Sequence, residues 1–248
     1  MGISKTRLDV LLVDRGLVPS RERARALILA GQVTVNGQIV SKAGTGVAAD
    51  ARVELATADH PYVSRGGVKL AGALDAFGID VAGRRALDIG ASTGGFTDVL
   101  LQRGAAAVIA LDVGHGQLDW RLRTDPRVLV REGVNARGLS KDDVPYAPDL
   151  VTIDVAFISL RHILPPLPPL LGANADVVAL VKPQFEAGRD QVGQHGLVTD
   201  PAVHEAVLAA VTDAATLAGF ERVAMAPAAI TGATGNQEFF LHLRLRSR

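Results

Sequence analysis

One stretch of the sequence decides the fold, and it runs Leu87-Asp88-Ile89-Gly90-Ala91-Ser92-Thr93-Gly94-Gly95-Phe96-Thr97. Its apolar start predicts a buried strand, and the glycines that follow predict a tight turn. The residues after the turn open a helix, whose first N–H groups have no partner within the helix. Because Gly90 and Gly94 lack side chains, the backbone can approach a ligand closely there. The stretch therefore predicts a strand–turn–helix unit that binds a ligand at the turn.

A carboxylate at the end of the next strand supports this interpretation. Asp112 ends an apolar run and follows Gly90 by 22 residues, and an acid at that place can accept hydrogen bonds from both hydroxyls of a ribose. The turn lacks the Gly-x-Gly-x-x-Gly pattern of dinucleotide sites, and the acid Asp88 precedes it. A positively charged nucleoside without a pyrophosphate, S-adenosylmethionine, suits these features. We predict that six residues bind it: Asp88, Gly90, Ser92, Gly94, Phe96 and Asp112.

Short apolar runs alternate with helical patterns from residue 85 onward. The runs predict buried parallel strands at 86–89, 107–111, 150–153 and 176–181. Helical patterns lie near 96–102 and 203–217, and an earlier one lies at about 69–77. This alternation predicts fold class α/β, with a doubly wound sheet. Residues 239–245 alternate less cleanly and predict an antiparallel edge strand.

The first 60 residues predict a separate small α+β unit. A helix over residues 5–15 ends at Gly16, and Ser20 is placed to cap a second helix over 21–29. The pair Asn36-Gly37 between apolar residues predicts a hairpin, and 52–55 predicts one more strand. We therefore divide the chain into a first domain, 1–59, a linker, 60–67, and a catalytic domain, 68–248.

The composition excludes several classes of protein and site. The chain of 248 residues has 48% hydrophobic residues, 26 basic and 26 acidic residues, and no cysteine. Disulfides, thiolate zinc sites and cysteine nucleophiles are therefore excluded, and the scattered histidines predict no metal site. No signal peptide and no apolar stretch of membrane-spanning length is present, so we expect a soluble cytoplasmic protein.

A rival interpretation starts from the same turn. Residues 90–94 also match the Gly-x-Ser-x-Gly pattern of hydrolases, with Ser92 as the nucleophile. Asp176 or Asp200 and then His204 or His242 would complete a triad. This alternative gives no role to the acids before and after the turn.

The chain resembles the TlyA proteins, which have been labelled hemolysins, and their catalytic domain is similar to FtsJ/RrmJ-type ribose methyltransferases. The resemblance covers almost the whole sequence, although Tyr62 stands where the family commonly has tryptophan. It rests on ordered blocks of residues: Arg7-Leu8-Asp9, Ser20-Arg21-Glu22-Arg23-Ala24, Val63-Ser64-Arg65-Gly66-Gly67-Val68-Lys69-Leu70, residues 88–97, residues 112–118, Phe157-Ile158-Ser159-Leu160, Val181-Lys182-Pro183-Gln184-Phe185-Glu186 and Gly235-Asn236-Gln237-Glu238-Phe239-Phe240.

The resemblance implies a Rossmann-like class I methyltransferase sheet, a small N-terminal RNA-binding domain, and 2′-O-methylation of ribosomal RNA cytidines. It also implies a catalytic set of Lys69, Asp154, Lys182 and Glu238. The sequence supports two of these independently, because Asp154 and Lys182 each follow an apolar strand, where open α/β sheets bind ligands. We expect Lys182 to accept the hydroxyl proton and the two acids to hold the lysines, while Lys69 orients the nucleophile.

Basic residues near the start of the chain predict an RNA-binding patch. Residues 5–31 contain six basic and three acidic residues, and the patch would consist of Lys5, Arg7, Arg21, Arg23 and Arg25. Arg137 would extend it, and Phe157 would stack on an extruded base. We expect ribosomal RNA or ribosomal subunits as partners. Two other classes stay open: a non-catalytic RNA-binding assembly factor and, from the old label, a membrane-lytic protein.

Overall fold

The computed structural model describes residues 5–29, 31–55 and 60–246. The chain separates into two compact units, Met1–Pro61 and Tyr62–Arg248. Each unit has its own hydrophobic core, so each is described by itself. The predicted domain boundary at residue 59 lies outside the described residues.

The first unit contains two short helices and two small sheets. The helices are α1 (Leu8–Asp14) and α2 (Arg21–Leu29). The strands are β1 (Lys5–Arg7), β2 (Val33–Val35), β3 (Gln38–Ile39), β4 (Gly46–Ala48) and β5 (Val53–Leu55). β1 pairs with β4, and β2 lies between β3 and β5. Leu8, Leu12 and Ile28 are fully buried in the core between the helices and the strands.

Local signals in this unit were mostly confirmed. The Oγ of Ser20 accepts the N–H of Arg23 at 3.2 Å, as an N-cap does. Asn36 and Gly37 both have positive φ, 52° and 80°, as the type I′ hairpin turn requires. The predicted helix start at residue 5 was wrong, because Lys5–Arg7 form β1 and the helix begins at Leu8. β4, the partner of β1, had no signal in the sequence.

The second unit is built on a seven-stranded sheet with the order β11-β12-β10-β9-β6-β7-β8. Its strands are β6 (Arg85–Ile89), β7 (Ala107–Asp112), β8 (Val128–Glu132), β9 (Leu150–Ile153), β10 (Asp176–Val181), β11 (Phe220–Pro227) and β12 (Phe239–Leu245). The five strands β6 to β10 are parallel, and β12 runs antiparallel to both β10 and β11.

Helices cover both faces of this sheet, as continuous apolar strands require. They are α3 (Arg65–Phe77), α4 (Gly95–Gln102), α5 (Trp120–Arg123), α6 (Pro183–Glu186) and α7 (Pro201–Leu217). One core cluster includes Leu70 and Leu74 of α3, and the other includes Val207 and Val211 of α7.

Three expectations for this unit need correction. β12 is antiparallel as predicted, but β11 covers it and forms the edge of the sheet instead. Neither β8 nor β11 was predicted, because most of their side chains are half-buried or exposed and give no continuous apolar run. α3 begins at Arg65, so Arg65–Gly67, which were assigned to the linker, form its first turn.

No helix within the described residues is long and apolar enough to cross a membrane.

Candidate active site

Backbone contacts to the neighbouring strand ends hold the turn that follows β6. The N–H of Gly90 donates to the carbonyl of Leu111 at 2.8 Å, and the N–H of Asp154 donates to the carbonyl of Ile89 at 2.9 Å. Gly90 has φ +84°, and a Cβ there would collide with the carbonyl oxygen of Asp154. The turn therefore requires glycine both for its backbone conformation and for the close approach of the next loop.

A cavity of about 540 Å³ opens beside this turn, at the carboxyl ends of β6, β7 and β9. Asp112, the last residue of β7, lines the cavity, and its carboxylate accepts the N–H groups of Ser92 at 2.8 Å and Gly114 at 2.7 Å. Apolar side chains, including Val113 and Ala136, form much of the remaining wall. A fixed carboxylate next to an apolar wall suits the ribose and the base of a nucleoside.

A second cavity, of about 190 Å³, lies on the other side of the turn. Lys69 and Phe96 line it. It shares three residues with the larger cavity, namely Gly90, Ser92 and Asp154. The two cavities are therefore adjacent, and Asp154 lies between them.

Two lysine–carboxylate pairs stand at this place. The Nζ of Lys182 lies 2.5 Å from Oδ1 of Asp154, and the Nζ of Lys69 lies 2.5 Å from Oε2 of Glu238. All four side chains are less than a quarter exposed. Charged groups with so little water need a partner of opposite charge, and each lysine has one. The four residues of the predicted catalytic set are thus paired in twos.

The sheet topology explains why residues so distant in sequence meet. Lys182 follows β10, Asp154 follows β9, and both strands end at the carboxyl edge of the sheet. β12 is antiparallel, so its first residue, Phe239, pairs with the last residue of β10, Val181. Glu238, just before β12, therefore reaches the same edge as Lys182.

Two predicted cofactor residues do not reach either cavity. Asp88 is fully buried, and its carboxylate accepts the hydroxyls of Thr97 at 2.7 Å and Thr152 at 2.9 Å. Burial raises the pKa of Asp88 to about 7. At Gly94 the space of a side chain is filled by Leu118 and Leu122, so this glycine serves helix packing. Neither Asp88 nor Gly94 is therefore placed to contact a cofactor bound in these two cavities.

Two buried residues near the site had no functional prediction. Glu186 is 8% exposed and accepts hydrogen bonds from the loop that follows Asp154. Asn236 is 1% exposed; its amide donates to the carbonyl of Gly196 at 2.8 Å and accepts the N–H of Val198 at 2.8 Å. Asn236 thus ties a neighbouring loop to the turn that carries Glu238. The spacing in the sequence gives no signal for either role.

The predicted RNA-binding arginines of the first unit surround a buried acid. Arg7, Arg21 and Arg25 each contact the carboxylate of Asp9, at 2.9, 3.1 and 3.2 Å. Asp9 is fully buried, and its hydrogen bond to Arg7 is the main reason that its pKa lies well below the usual range. The three guanidinium groups are still about half exposed, so the ion pairs leave donors toward solvent. Lys5 is exposed and Arg23 is half-buried.

The larger cavity carries two further predicted RNA contacts. Phe157 is 90% exposed and Arg137 is exposed, and both line it. Phe157 has φ +62°, a backbone conformation that aromatic residues rarely adopt. Its ring contacts that of Phe185, with the centroids 5.0 Å apart.

The hydrolase alternative is wrong. The Oγ of Ser92 contacts the side-chain oxygen of Gln117 at 3.2 Å, and within residues 5–29, 31–55 and 60–246 it has no hydrogen bond to a histidine. His242 pairs with Asp176 at 2.8 Å, but Asp176 is the first residue of β10 and lies at the end of the sheet opposite Ser92. The His204 ring contacts the Val198 carbonyl, and Asp200 caps α7.

Comparison with known proteins agrees with this geometry. Residues 62–245 match the FtsJ-like methyltransferase family, and residues 6–53 match the S4 domain. The chain is 48% identical over 244 residues to the 16S/23S rRNA (cytidine-2′-O)-methyltransferase TlyA of Mycobacterium tuberculosis, covering 98% of this chain and 91% of that protein. It is 40% identical over 240 residues to hemolysin A of Brachyspira hyodysenteriae, covering 95% and 98%.

A solved structure resembles the whole chain. It is a candidate hemolysin from Streptococcus thermophilus, with 44% identity and a TM-score of 0.77, covering 99% of this chain and 90% of that one. The predicted fold class, the predicted small N-terminal domain and the resemblance stated from the sequence are confirmed by these matches. The chain belongs to the FtsJ-like methyltransferases, as a member of the TlyA proteins with an S4 domain.

Proposed function

We propose that this protein transfers a methyl group from S-adenosylmethionine to a ribose 2′-hydroxyl of cytidine in ribosomal RNA. The observation that carries the proposal is the placement of two lysine–carboxylate pairs, each with little exposure, at two adjacent cavities of which the larger suits a nucleoside. The Mycobacterium tuberculosis relative is a 16S/23S rRNA (cytidine-2′-O)-methyltransferase, which supports the choice of substrate.

The residues that line the larger cavity fit the cofactor. Asp112 would accept the ribose hydroxyls, since a carboxylate has lone pairs left after two backbone contacts. Gly90 and Ser92 line both this cavity and the smaller one. Lys69 and Asp154, one member of each lysine–carboxylate pair, line the smaller cavity. S-adenosylmethionine, when bound, supplies an electrophilic methyl group. Asp88 would act from below the turn, by fixing α4 against β9 through Thr97 and Thr152.

The chain's own residues then have to hold the hydroxyl and accept its proton. A ribose hydroxyl is a poor nucleophile at neutral pH, so a positioned base is required. Lys182 would accept the proton from the 2′-oxygen as the O–C bond to the methyl group forms and the S–CH3 bond of S-adenosylmethionine breaks, which would leave S-adenosylhomocysteine. Asp154 holds Lys182 in place, and Glu238 holds Lys69 where it can orient the hydroxyl.

RNA would be bound by basic and aromatic side chains of both units. Lys5, Arg7, Arg21, Arg23 and Arg25 of the first unit would contact phosphates, and Arg137 would add a contact beside the catalytic cleft. Phe157 has an exposed ring at the cavity and would stack on the target base. Ribosomal RNA or a ribosomal subunit is the partner we propose, and the cytoplasm is the compartment where it would be met.

The test is a methyl-transfer assay on purified ribosomal subunits, followed by mapping of 2′-O-methyl groups. The wild-type protein should modify cytidine, and K182A should lose about 10²–10⁴-fold in rate. Binding of S-adenosylhomocysteine by calorimetry should persist in K182A, because Lys182 lines neither cavity. K141A, which removes an exposed lysine away from the cleft, is the matched control.

Two outcomes would contradict the proposal. A K182A protein that methylates at the wild-type rate would remove the base assignment. A wild-type protein that binds RNA but methylates neither subunit would favour the non-catalytic assembly factor instead.

A further inference from the structure

The loop that carries Asp154 and the segment made of Lys182 and α6 are joined at both ends. At one end Asp154 and Lys182 form their ion pair at 2.5 Å. At the other end, Glu186, the last residue of α6, contacts Ser159 and Leu160, which follow Asp154 by five and six residues. We call this closed arrangement of residues 154–160 and 182–186 the bracket.

Glu186 makes the contacts that close the bracket. Its Oε2 accepts the hydroxyl of Ser159 at 2.6 Å, and its Oε1 accepts the N–H of Leu160 at 2.7 Å. Arg161 adds two hydrogen bonds, from Nε to the Ser159 hydroxyl at 3.0 Å and from its guanidinium to the backbone carbonyl of Glu186 at 3.1 Å. A carboxylate that is only 8% exposed is costly to bury without such partners. These contacts explain the burial of Glu186, whose pKa is raised mainly by desolvation.

The bracket contains one residue whose backbone conformation is not fixed by burial of its own side chain. Phe157 lies inside it, with a φ of +62° and a side chain that is 90% exposed. A strained backbone persists only where the surrounding structure fixes it. Burial of the Phe157 ring does not supply that constraint, and its aromatic neighbour is the Phe185 ring of α6. The two hydrogen bonds to Glu186 are a constraint of this kind, because they fix the segment directly after Phe157.

We infer that Glu186 is a positioning residue for the RNA substrate: it fixes the loop of Phe157 beside the cleft and so presets the place where the target nucleotide binds. This rests on the proposed function. Glu186 touches neither cavity, so it would act through Phe157 and not through the reacting atoms.

Steady-state kinetics of E186Q test the inference. Glutamine is neutral and has a single side-chain oxygen. It therefore cannot replace the two charged oxygens that accept the Ser159 hydroxyl and the Leu160 N–H. Loss of such a contact should lower kcat/KM for RNA by about tenfold or more, mainly through a higher KM. E205Q, which changes an exposed glutamate of α7, should behave as wild type.

The same substitution in an F157A background decides whether Glu186 acts through Phe157. Coupled residues give non-additive effects. We expect E186Q to cost less than about threefold once the ring is gone. An equal loss in both backgrounds, or no loss in the wild-type background, would overturn the inference.

Amide hydrogen exchange gives a readout that does not need activity. E186Q and S159A should speed exchange over residues 155–160, whereas E205Q should not. S159A removes the hydrogen bond of the Ser159 hydroxyl to Glu186 together with those it accepts from Arg161, and keeps the one from Leu160 to Glu186. Unchanged exchange in S159A and E186Q would refute the positioning role even if the protein proves to be a methyltransferase. If E186Q does not fold, S159A alone decides. If the wild type transfers no methyl group, the proposed function fails while exchange still tests the bracket.

Discussion

Each ionisable residue of the cleft is defined by what surrounds its side chain. Lys69 and Lys182 are held by carboxylates, whereas Asp88 is buried with two hydroxyl groups and no cation. A carboxylate beside each lysine compensates for the water that the lysine side chain loses. Asp88 has no such charged partner among the described residues, and burial favours its neutral form.

Stability should therefore depend on pH through Asp88. Folded Asp88 keeps its proton up to about pH 7, whereas an aspartate in the unfolded chain loses it near its ordinary value of 3.8. Between these values the folded state binds more protons, so the free energy of unfolding falls as pH rises. D88N cannot titrate, so its free energy of unfolding should rise relative to that of the wild type between pH 5 and pH 7, by at most about 1.4 kcal/mol per pH unit.

Thermal or urea unfolding at several pH values measures this difference. D142N changes an exposed acid and is the matched control, because it leaves the buried group intact. A stability difference between D88N and wild type that stays flat from pH 5 to pH 7 would contradict the raised pKa of Asp88.

At the scale of elements, the start of α2 and the residue that precedes α1 share one charge centre. Arg21 and Arg25 of α2 and Arg7 all contact Asp9 of α1, so the arginines also stabilise the packing of α1 on α2. Their exposed halves remain free to contact phosphate. A single patch can therefore serve both the fold of the small unit and its binding of RNA.

Replacing both arginines of α2 should weaken RNA binding in a salt-dependent way. The double variant R21A/R25A should lower the affinity and reduce the slope of log K against log salt by about 1–2. R52A removes an arginine of the same unit that is paired with Glu54 and serves as the control. Filter-binding or fluorescence titrations at several salt concentrations measure both quantities. An unchanged slope would mean that these arginines only stabilise the unit.

Elements with a strong local signal were predictable, and those that depend on distant neighbours were not. The strands β6, β7, β9 and β10 are continuous apolar runs, so their burial on both faces was visible in the sequence. β8 and β11 are the two edge strands of the sheet, and their side chains are only partly buried. They are therefore recognised by their pairing with neighbouring strands and not by an apolar run. β4 is recognised by its partner β1, some forty residues earlier in the chain.

The same division holds for the site. Asp154 and Lys182 stand directly after apolar strands, so their place at the carboxyl edge followed from the sequence. Lys69 and Glu238 were predicted from the family resemblance alone, because the two residues of this pair are 169 residues apart in the sequence. The burial of Asp88 and of Glu186 could not be predicted, because it depends on packing between segments that no spacing relates.

At the scale of the whole molecule, the chain consists of two units with separate cores. The first unit has only about sixty residues and buries a correspondingly small core, so its stability alone is expected to be marginal. The proposed cofactor residues all belong to the second unit. Binding of a cofactor should therefore stabilise the two units unequally.

Scanning calorimetry should show two unfolding transitions. S-adenosylhomocysteine at about one hundred times its Kd should stabilise the second unit by about 2.7 kcal/mol and raise its transition alone. K182A should show the same shift, since Lys182 does not line the nucleoside cavity. Equal shifts of both transitions, or a single transition for the whole chain, would show that the units unfold together.

The antiparallel direction of β12 also has a consequence for synthesis of the chain on the ribosome. Glu238 is made 169 residues after Lys69, its ion-pair partner. At about 5–20 residues per second, this interval lasts on the order of 10 s or more. Throughout this interval Lys69 lacks Glu238, and once β10 has been made it remains an unpaired edge of the nascent sheet until β12 follows. A chaperone that recognises exposed strand edges would have its binding window there, and the catalytic cleft would be completed only when β12 is inserted between β10 and β11.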